Sequence, residues 1–587
     1  MAARLDRMTT FAELSSAFLD AAMAANPVFA TAIGDHRHDD RWPDAGPTAT
    51  ADRLAFVARW RAAFEAVDPT TLSPDEVLDR DIILDELAAH RFGDEELQDE
   101  RWNPLDWVYL LGDGLFLLLS REFAPLADRL ASLAGRLEGM PALLDGAREA
   151  LVGTTDGRPV GRFQTETALT QLSGIGELID EAIAAADEAA DDAAVTAVRP
   201  RLDAAAETAR TALAAFETHL RSVVLPASSG DGRLGVDLFA RKMRHTMRSA
   251  TLTPEHILTA ARREFDAVRA EMVRLAGELW PTWCAGADRP SEDGALVRGV
   301  LDAIAGEHPE ADDLLAFCRD ENDRIEAFCR DHDLIGLGDE PMDIRWTPVF
   351  LRAFGGAMLI APGPLDRGLT TFFAITPMPD DWPPERRESY LREDNSRMLR
   401  LLTIHEANPG HYLQGVYANR SASLTRAAFS SGLFAEGWAV YVTQVMMDAG
   451  YGADDPALLL THWKFYLRSV TNAILDARIH VDGIDEAAAL ALMVGQGFQE
   501  EAEARAKYDR ARLSSTQLST YFAGSMEMWD MELEARRRAA KDPTLRPTRD
   551  LPGGFGTTAG FRYRDHLEAV LSHGAPPTSI LRRALFG

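Results

Sequence analysis

The chain has 587 residues, of which 46% are hydrophobic, 26% charged and 8% aromatic, a composition typical of an ordered globular protein. Its 92 acidic and 61 basic residues give a formal net charge of −31, which repels phosphate backbones and anionic membrane surfaces at long range. We therefore expect neither nucleic acid nor a membrane as a partner.

The first 30 residues do not resemble a secretory signal, because charges such as Asp6 and Glu13 interrupt their apolar positions. No segment approaches the roughly 18 consecutive apolar residues that are needed to span a bilayer. The chain has only three cysteines, and their spacing matches neither a zinc ribbon nor a redox pair. These features favour a cytoplasmic protein with reduced cysteines.

Helical patterns follow one another through the first 240 residues. Between Leu202 and Val223, apolar residues recur in steps of three and four, which is the spacing of a helix with one buried face. Residues 73–76 read SPDE and carry a helix start signal, with a capping serine, a proline at the first helical position and a glutamate three residues after the cap. We predict an N-terminal helical region over residues 1–240 and a second, catalytic one over 241–587, with one continuous domain as the alternative.

The only convincing strand signal lies between about residues 343 and 384. Ala357–Ile360 and Thr370–Thr376 read as two short strands joined by the Pro/Gly-rich loop Pro362–Gly368. The sequence therefore predicts a mainly α fold with one small β-ribbon close to the candidate site. An exposed edge of this ribbon could pair with an extended peptide, and a hairpin that only covers the core is the alternative.

A helix is predicted from about Glu385, and its apolar stripe, which includes Met398 and Leu402, reaches His405 at the next step. Residues 405–411 read HEANPGH. This segment has the His-Glu opening of a zinc-binding helix, but its second histidine follows the first by six residues instead of four. In a regular helix, residues six apart are turned by about 240°, so both could not face one ion.

Pro409 and Gly410 make this spacing compatible with a shared ion. Pro409 lacks the amide that would bond to the carbonyl of His405, and Gly410 adds backbone freedom. The pair predicts either a kink or bulge that brings His405 and His411 together, or a helix that ends here, with His411 beginning the next one.

Glu436 stands in an almost wholly apolar run, residues 434–442, which read FAEGWAVYV. A buried carboxylate without a partner is strongly unfavourable, so Glu436 needs one. The candidates are a metal ion shared with the two histidines and a buried arginine such as Arg468 or Arg478. The histidine pair upstream favours the metal.

Two histidines and a carboxylate leave one position of a tetrahedral zinc ion open, as in hydrolytic sites. We predict one zinc ion per chain, held by His405, His411 and Glu436, although these ligands also suit other divalent ions. Water activated by the ion would attack an amide carbonyl. Glu406 would act as general base and pass the proton to the leaving nitrogen.

The C-terminal part supplies candidates for the remaining roles. Tyr521 and His480 are candidate catalytic residues that could stabilise the developing oxyanion, and Arg478 and Gln517 are candidate substrate-binding residues. Asp476 is the candidate acceptor that would orient a metal-bound histidine. For each of these side chains, a structural role in the core or as a cap is the alternative.

The sequence resembles a bacterial family catalogued as domain of unknown function 885, whose members carry His-Glu-Ala-x-Pro-Gly-His followed by a Glu-Gly-Trp segment. Here these motifs are residues 405–411 and 436–438. The likeness extends from residues 26–35, NPVFATAIGD, to residues 476–480, and so covers nearly the whole chain. Many members have a second histidine directly after the first motif, where this chain has Tyr412, and many begin with an export signal.

The resemblance implies a gluzincin-type metallopeptidase with a large helical body and a deep cleft, in which His405, His411 and Glu436 are the ligands and Glu406 is the base. The leading hypothesis is a peptidase that acts on short peptides or peptide-like amides. A hydrolase of a non-peptide amide and a catalytically inert helical binding protein are the alternatives. The sequence indicates neither the cleavage-site preference nor the oligomeric state.

Overall fold

The computed structural model describes residues 10–347, 356–379, 382–549 and 551–587. Most of these residues lie in α-helices, and the one sheet found in these ranges has three short strands. This confirms the predicted mainly α fold. The deep cleft that the resemblance implies stays a prediction.

Contacts within the chain divide it into two compact units. The first comprises Met1–Gly232, Pro362–Leu369 and Ser423–Ala428. The second comprises Arg233–Ala361, Thr370–Ala422 and Phe429–Gly587. The sequence predicts a boundary near residue 240, and the longest segment of the first unit ends at Gly232. Two short later segments also belong to the first unit, and a division into two consecutive regions does not predict them.

The described α-helices of the first unit are α1 (Phe11–Ala25), α2 (Pro27–Ala32), α3 (Ala49–Glu65), α4 (Pro74–Phe92), α5 (Asp99–Trp102), α6 (Pro104–Ser120), α7 (Leu126–Ala150), α8 (Arg162–Glu188), α9 (Ala193–His219), α10 (Leu225–Ala227) and α18 (Leu424–Ala428). Short 3₁₀ segments lie at His36–His38 and Pro69–Thr71, and π segments at Gly93–Leu97 and Leu220–Val224. Within the described residues, no helix is both long and apolar enough to cross a membrane.

Two local predictions for this unit are confirmed. Helix α4 begins at Pro74, and the Ser73 hydroxyl and the Glu76 carboxylate accept hydrogen bonds from each other's backbone amides, as in a capping box. Five members of the predicted stripe are buried on α9: Leu202, Ala206, Ala209, Leu213 and Phe216. Its last member, Val223, is exposed, because the π segment Leu220–Val224 changes the helical register and buries Val224 instead.

The described α-helices of the second unit are α11 (Val236–Met247), α12 (Pro254–Trp283), α13 (Asp293–Ala305), α14 (Leu314–Asp331), α15 (Pro384–Glu393), α16 (Ser396–Glu406), α17 (His411–Asn419), α19 (Gly432–Asp448), α20 (Pro456–Ala477), α21 (Glu486–Leu490), α22 (Glu501–Leu513), α23 (Leu518–Ala540), α24 (Tyr563–Leu571) and α25 (Thr578–Phe586). A 3₁₀ segment lies at Ala311–Asp313, and π segments lie at Arg478–Asp482 and Ala491–Gln496. The three cysteines form no disulfide, and burial raises the pKa of Cys318 and of Cys329 to about 12.

The sheet has the strand order β1 (Met342–Trp346), β3 (Thr371–Ile375), β2 (Ala357–Ile360). The two predicted strands form an antiparallel pair, and β1 adds a parallel strand that the sequence did not predict. Strand β1 buries a single side chain, Ile344, so its strand pattern is weak. Residues 348–355 and 380–381 of the predicted ribbon lie outside the described residues.

The sheet packs beside the helix that carries His405. Phe373 and Ile375 of β3 belong to the same buried apolar cluster as Leu399 of α16 and Ala407, which follows that helix. Burial of these side chains is favourable by about 25 cal/mol per Å² of apolar surface. The cluster therefore ties the end of α16 to the sheet.

Candidate metal centre

The helix that carries His405 ends one residue later. Helix α16 ends at Glu406 and α17 begins at His411. Of the two alternatives left open by the HEANPGH segment, the chain adopts the second, in which the helix ends. Residues 407–410 form the connection, which contains a cis peptide bond between Asn408 and Pro409.

This connection is folded tightly back onto the end of α16. A Cβ atom on Gly410 would lie 2.0 Å from the carbonyl oxygen of His405 and 2.3 Å from that of Ile404, so only glycine fits here. On the other side, Trp438 of α19 donates a hydrogen bond from Nε1 to the carbonyl oxygen of Pro409 at 3.0 Å. The connection therefore positions α17 against both α16 and α19.

The three predicted ligands converge. One ligand atom from each of His405, His411 and Glu436 lies within 4.8 Å of the other two, and no other group of this kind occurs in the described ranges. The two imidazole rings are nearly perpendicular, with their centroids 4.8 Å apart. The His411 Nε2 atom lies 3.4 Å from the Glu436 Oε2 atom. Ligands about 2.1 Å from a tetrahedral zinc ion lie about 3.4 Å apart, which is the spacing of the His411–Glu436 pair.

Two of the converging side chains contain buried polar atoms without a hydrogen bond among the described residues, His405 Nδ1 and Glu436 Oε2. The Glu436 oxygen has the His411 Nε2 atom at ion-pair distance, 3.4 Å. A buried polar atom without a partner is unfavourable by about 1–3 kcal/mol. Such atoms beside one another are what a cation site requires, because the cation satisfies them.

Neither arginine that the sequence offered as an alternative partner reaches Glu436. The Arg468 guanidinium forms ion pairs with Glu393 and Glu503. Arg478 lies 3.8 Å from Asp482, four residues further along its own segment. Neither of these arginines is therefore the partner of the partly buried Glu436.

Burial and mutual charge set the protonation of the ligands. Burial, together with the charge of the neighbouring His411, lowers the pKa of His405 to about 3. Burial would also lower the pKa of His411, but the Glu436 carboxylate outweighs this effect and raises it. Burial would raise the pKa of Glu436, but His411 outweighs it and lowers that pKa. His405 is thus neutral at physiological pH, the form in which an imidazole binds a cation.

Glu406 lies next to the three converging side chains but is not among them. It is the last residue of α16 and is half-buried. Its carboxylate forms no hydrogen bond or ion pair in the part of the chain that the structure describes. Burial raises the pKa of Glu406 to about 7, while His411 acts to lower it and Glu436 to raise it. The carboxylate oxygens of Glu406 are therefore available to a ligand.

A close contact between two helices brings Tyr521 to the group. A Cβ atom on Gly437 of α19 would lie 2.3 Å from the backbone of Gly524 on α23, so the two helices touch there. Glu436 precedes the first glycine, and Tyr521 lies about one turn before the second. The Tyr521 hydroxyl thus lies beside the Glu436 carboxylate and acts to lower its pKa. Gln517 joins this neighbourhood, since its Nε2 atom lies 3.5 Å from the Tyr521 hydroxyl.

The other predicted residues are not brought to the group. Both ring nitrogens of His480 are occupied, because Nε2 donates to the carbonyl of Ala511 at 2.8 Å and Nδ1 accepts from the amide of Leu234 at 3.3 Å. Asp476 accepts hydrogen bonds from the amides of Thr516 and Ser519, and no ligand histidine contacts it. These two side chains have the structural roles that the sequence left as alternatives. Among the described residues, Arg478 forms an ion pair with Asp482 and none with His405, His411 or Glu436.

Three neighbours of the group were not foreseen from the sequence. The ring of Phe465 packs edge-to-face on His405, with centroids 5.5 Å apart, and Trp438 supports the connection as described above. Arg510 of α22 donates a hydrogen bond to the Tyr521 hydroxyl at 3.4 Å. Tyr412, which replaces the second histidine of many family members, donates instead to the backbone carbonyl of Glu340. His411 is thus the second imidazole of the group.

The fold is similar to that of two solved structures. One is described as "a putative lipoprotein of unknown function from Shewanella oneidensis"; it is 29% identical in sequence, with a TM-score of 0.82 over 99% of this chain and 100% of that chain. The other is described as "the putative lipoprotein from Colwellia psychrerythraea"; it is 14% identical, with a TM-score of 0.76 over 97% of each chain, and shows the fold alone. No curated protein matches the chain.

The cytoplasmic location that the sequence favours stays a prediction.

A family model described as "Bacterial protein of unknown function (DUF885)" matches residues 27–585. The match covers almost the entire chain, including the segment of residues 405–411 and both units. The resemblance inferred from the sequence motifs is thereby confirmed at the level of the family, and the chain belongs to the DUF885 family of bacterial proteins.

Proposed function

We propose that this protein is a zinc-dependent hydrolase that cleaves peptide bonds in short peptides. The observation that carries the proposal is the convergence of His405, His411 and Glu436, with buried ligand atoms that lack hydrogen-bond partners in the described residues. Two imidazoles and one carboxylate form the donor set of catalytic zinc sites. Bound there, zinc would supply Lewis-acid activation of the substrate carbonyl and of water.

The protein's own residues would move the protons. Glu406 directly follows His405 and forms no hydrogen bond or ion pair with the described residues, so its carboxylate can accept a proton from the attacking water. The same group then delivers that proton to the leaving nitrogen. The Tyr521 hydroxyl, which is held beside Glu436, can donate a hydrogen bond to the carbonyl oxygen as negative charge develops on it.

The sheet supports a peptide over a non-peptide amide as the substrate. Among the described strands, β2 pairs on one side only, with β3. The cluster of Phe373, Ile375 and Leu399 places this sheet beside the helix that carries His405. An extended peptide can add to such an edge through main-chain hydrogen bonds.

Metal analysis tests the proposal. Purified protein loaded with zinc and then dialysed should retain roughly one zinc ion per chain by inductively coupled plasma mass spectrometry, and zinc should raise its unfolding temperature. His411→Ala should lose both effects, because it removes one of three ligands. His90→Ala is the matched control, since His90 is exposed and lies 3.8 Å from Glu86. Full peptidase activity in chelated, zinc-free wild type would refute the assignment.

A further inference from the structure

Two arginines lie beside Tyr521, and they differ in whether a carboxylate of the described residues pairs with them. Arg468 is held between the carboxylates of Glu393 and Glu503. Arg510 donates only to neutral groups, at 2.9 Å to Gln517 Oε1 and at 3.4 Å to the Tyr521 hydroxyl. In the described residues, no carboxylate lies within ion-pair distance of Arg510. Its positive charge is therefore available to a ligand.

Gln517 fixes the direction in which this charge points. Its Oε1 atom accepts from Arg510, and its Nε2 atom lies 3.5 Å from the Tyr521 hydroxyl, so the three side chains form a closed set of hydrogen bonds. Arg510 is exposed, which leaves the rest of its guanidinium accessible. A guanidinium presents paired N–H donors in a rigid plane that matches a carboxylate.

The distance from this guanidinium to the metal group limits what it can bind. The Arg510 Nη2 atom lies 3.4 Å from the Tyr521 hydroxyl, and that hydroxyl lies beside the Glu436 carboxylate, so the guanidinium and this carboxylate are separated by about 7 Å at most. One residue of an extended peptide spans about 3.3–3.6 Å. A substrate carboxylate at Arg510 therefore lies within about two residues of a bond held at the group.

We propose that Arg510 binds a substrate carboxylate and thereby selects short peptides with a negative charge within two residues of the cleaved bond. The inference rests on the proposed hydrolase function and adds a substrate preference to it. The net charge of −31 repels anionic substrates in general, so a local cation is needed to hold one. The carboxylate can belong to the end of the peptide or to an acidic side chain.

Binding of matched peptides to a form that does not turn over tests this inference. The parent is zinc-loaded Glu406→Gln protein, and the probes for isothermal titration calorimetry are acetyl-Ala-Phe-Ala as the free acid, the same peptide as its amide, and acetyl-Ala-Phe-Glu amide. The free acid should bind at least about tenfold more tightly than its amide, because it forms a charge-assisted hydrogen-bond pair. Adding Arg510→Gln should bring this ratio close to one. If the glutamate peptide amide binds like the free acid, a side chain can supply the carboxylate.

Arg505→Gln is the matched control. It removes the same charge from the same helix, but Arg505 pairs with Glu501 and Glu486 and should leave the ratio unchanged. Zinc content equal to that of the parent shows that the Arg510→Gln protein is folded. Equal binding of acid and amide by the parent would overturn the preference while leaving the hydrolase proposal intact. Failure of zinc-loaded protein to bind or cleave any of the peptides would overturn both.

Discussion

Replacing Glu406 with glutamine should lower peptide hydrolysis about 100- to 10,000-fold while the protein keeps its zinc. The loss is the usual contribution of a positioned general base. Glutamine has nearly the same shape as glutamate but accepts no proton, so the step that Glu406 performs is removed and little else changes. Zinc is retained because the converging ligand atoms come from His405, His411 and Glu436.

The measurement pairs kcat/KM on a short peptide with the zinc content of the same sample. Glu501→Gln is the matched control, because Glu501 lies on the exposed surface of α22, where it pairs with Arg505. It should leave both quantities unchanged. A Glu406→Gln protein with normal turnover would exclude the base role, and one that loses its zinc would mean that Glu406 belongs to the ligand set.

Structural features that depend on residues close together in the chain were predictable from the sequence. The capping box at Ser73 and the buried stripe of α9 depend on residues within one or two helical turns, and both are present. The ligand candidates also followed from local information, since His405 lies on an apolar stripe and Glu436 lies in an apolar run. The strand β1 was missed because it buries only Ile344 and gains its stability from pairing with β3.

Contacts between distant segments were not predictable in the same way. Helical periodicity indicates that a side chain faces inward but not which helix it meets. For this reason His480 and Asp476 were candidates, although His480 bonds to backbone groups and Asp476 to backbone amides and the Ser519 hydroxyl. Tyr521 reaches Glu436 because Gly437 and Gly524 let two helices touch, a contact that no spacing in one helix reveals. Arg510 lies on the highly charged helix α22, and the sequence pattern of this helix does not distinguish it from other solvent-exposed helices.

The break between α16 and α17 depends both on neighbouring residues and on a contact with a distant segment. Pro409 and Gly410 predicted that the helix is interrupted, but the sequence was equally compatible with a kinked helix and with a helix that ends. What decides between them is the packing of the connection, in which Trp438 bonds to the carbonyl of Pro409 from another helix. The ligand geometry therefore depends on a contact outside the motif.

Gly410→Ala should separate the two histidines. The added methyl group would lie 2.0 Å from the carbonyl oxygen of His405, and backbone atoms cannot rotate away as a side chain can. The connection must shift, and His411, the next residue, shifts with it. We expect zinc affinity to fall by at least about 10- to 100-fold, and the metal-free protein to lose about 1–3 kcal/mol of unfolding free energy from overpacking.

Competition with a chromophoric chelator measures the affinity, and urea unfolding of chelated protein measures the stability. Gly415→Ala is the matched control, since Gly415 lies on α17 and a Cβ atom there has nothing within 4 Å. That variant should bind zinc normally and gain about 0.5–1 kcal/mol, because alanine is favoured over glycine within a helix. If Gly410→Ala bound zinc as tightly as wild type, the tight connection would not be what brings His411 to His405. We expect Gly410→Ala to lose zinc, and Glu406→Gln to keep zinc and lose only turnover. Together the two variants would show that Gly410 positions the ligands and that Glu406 transfers the proton.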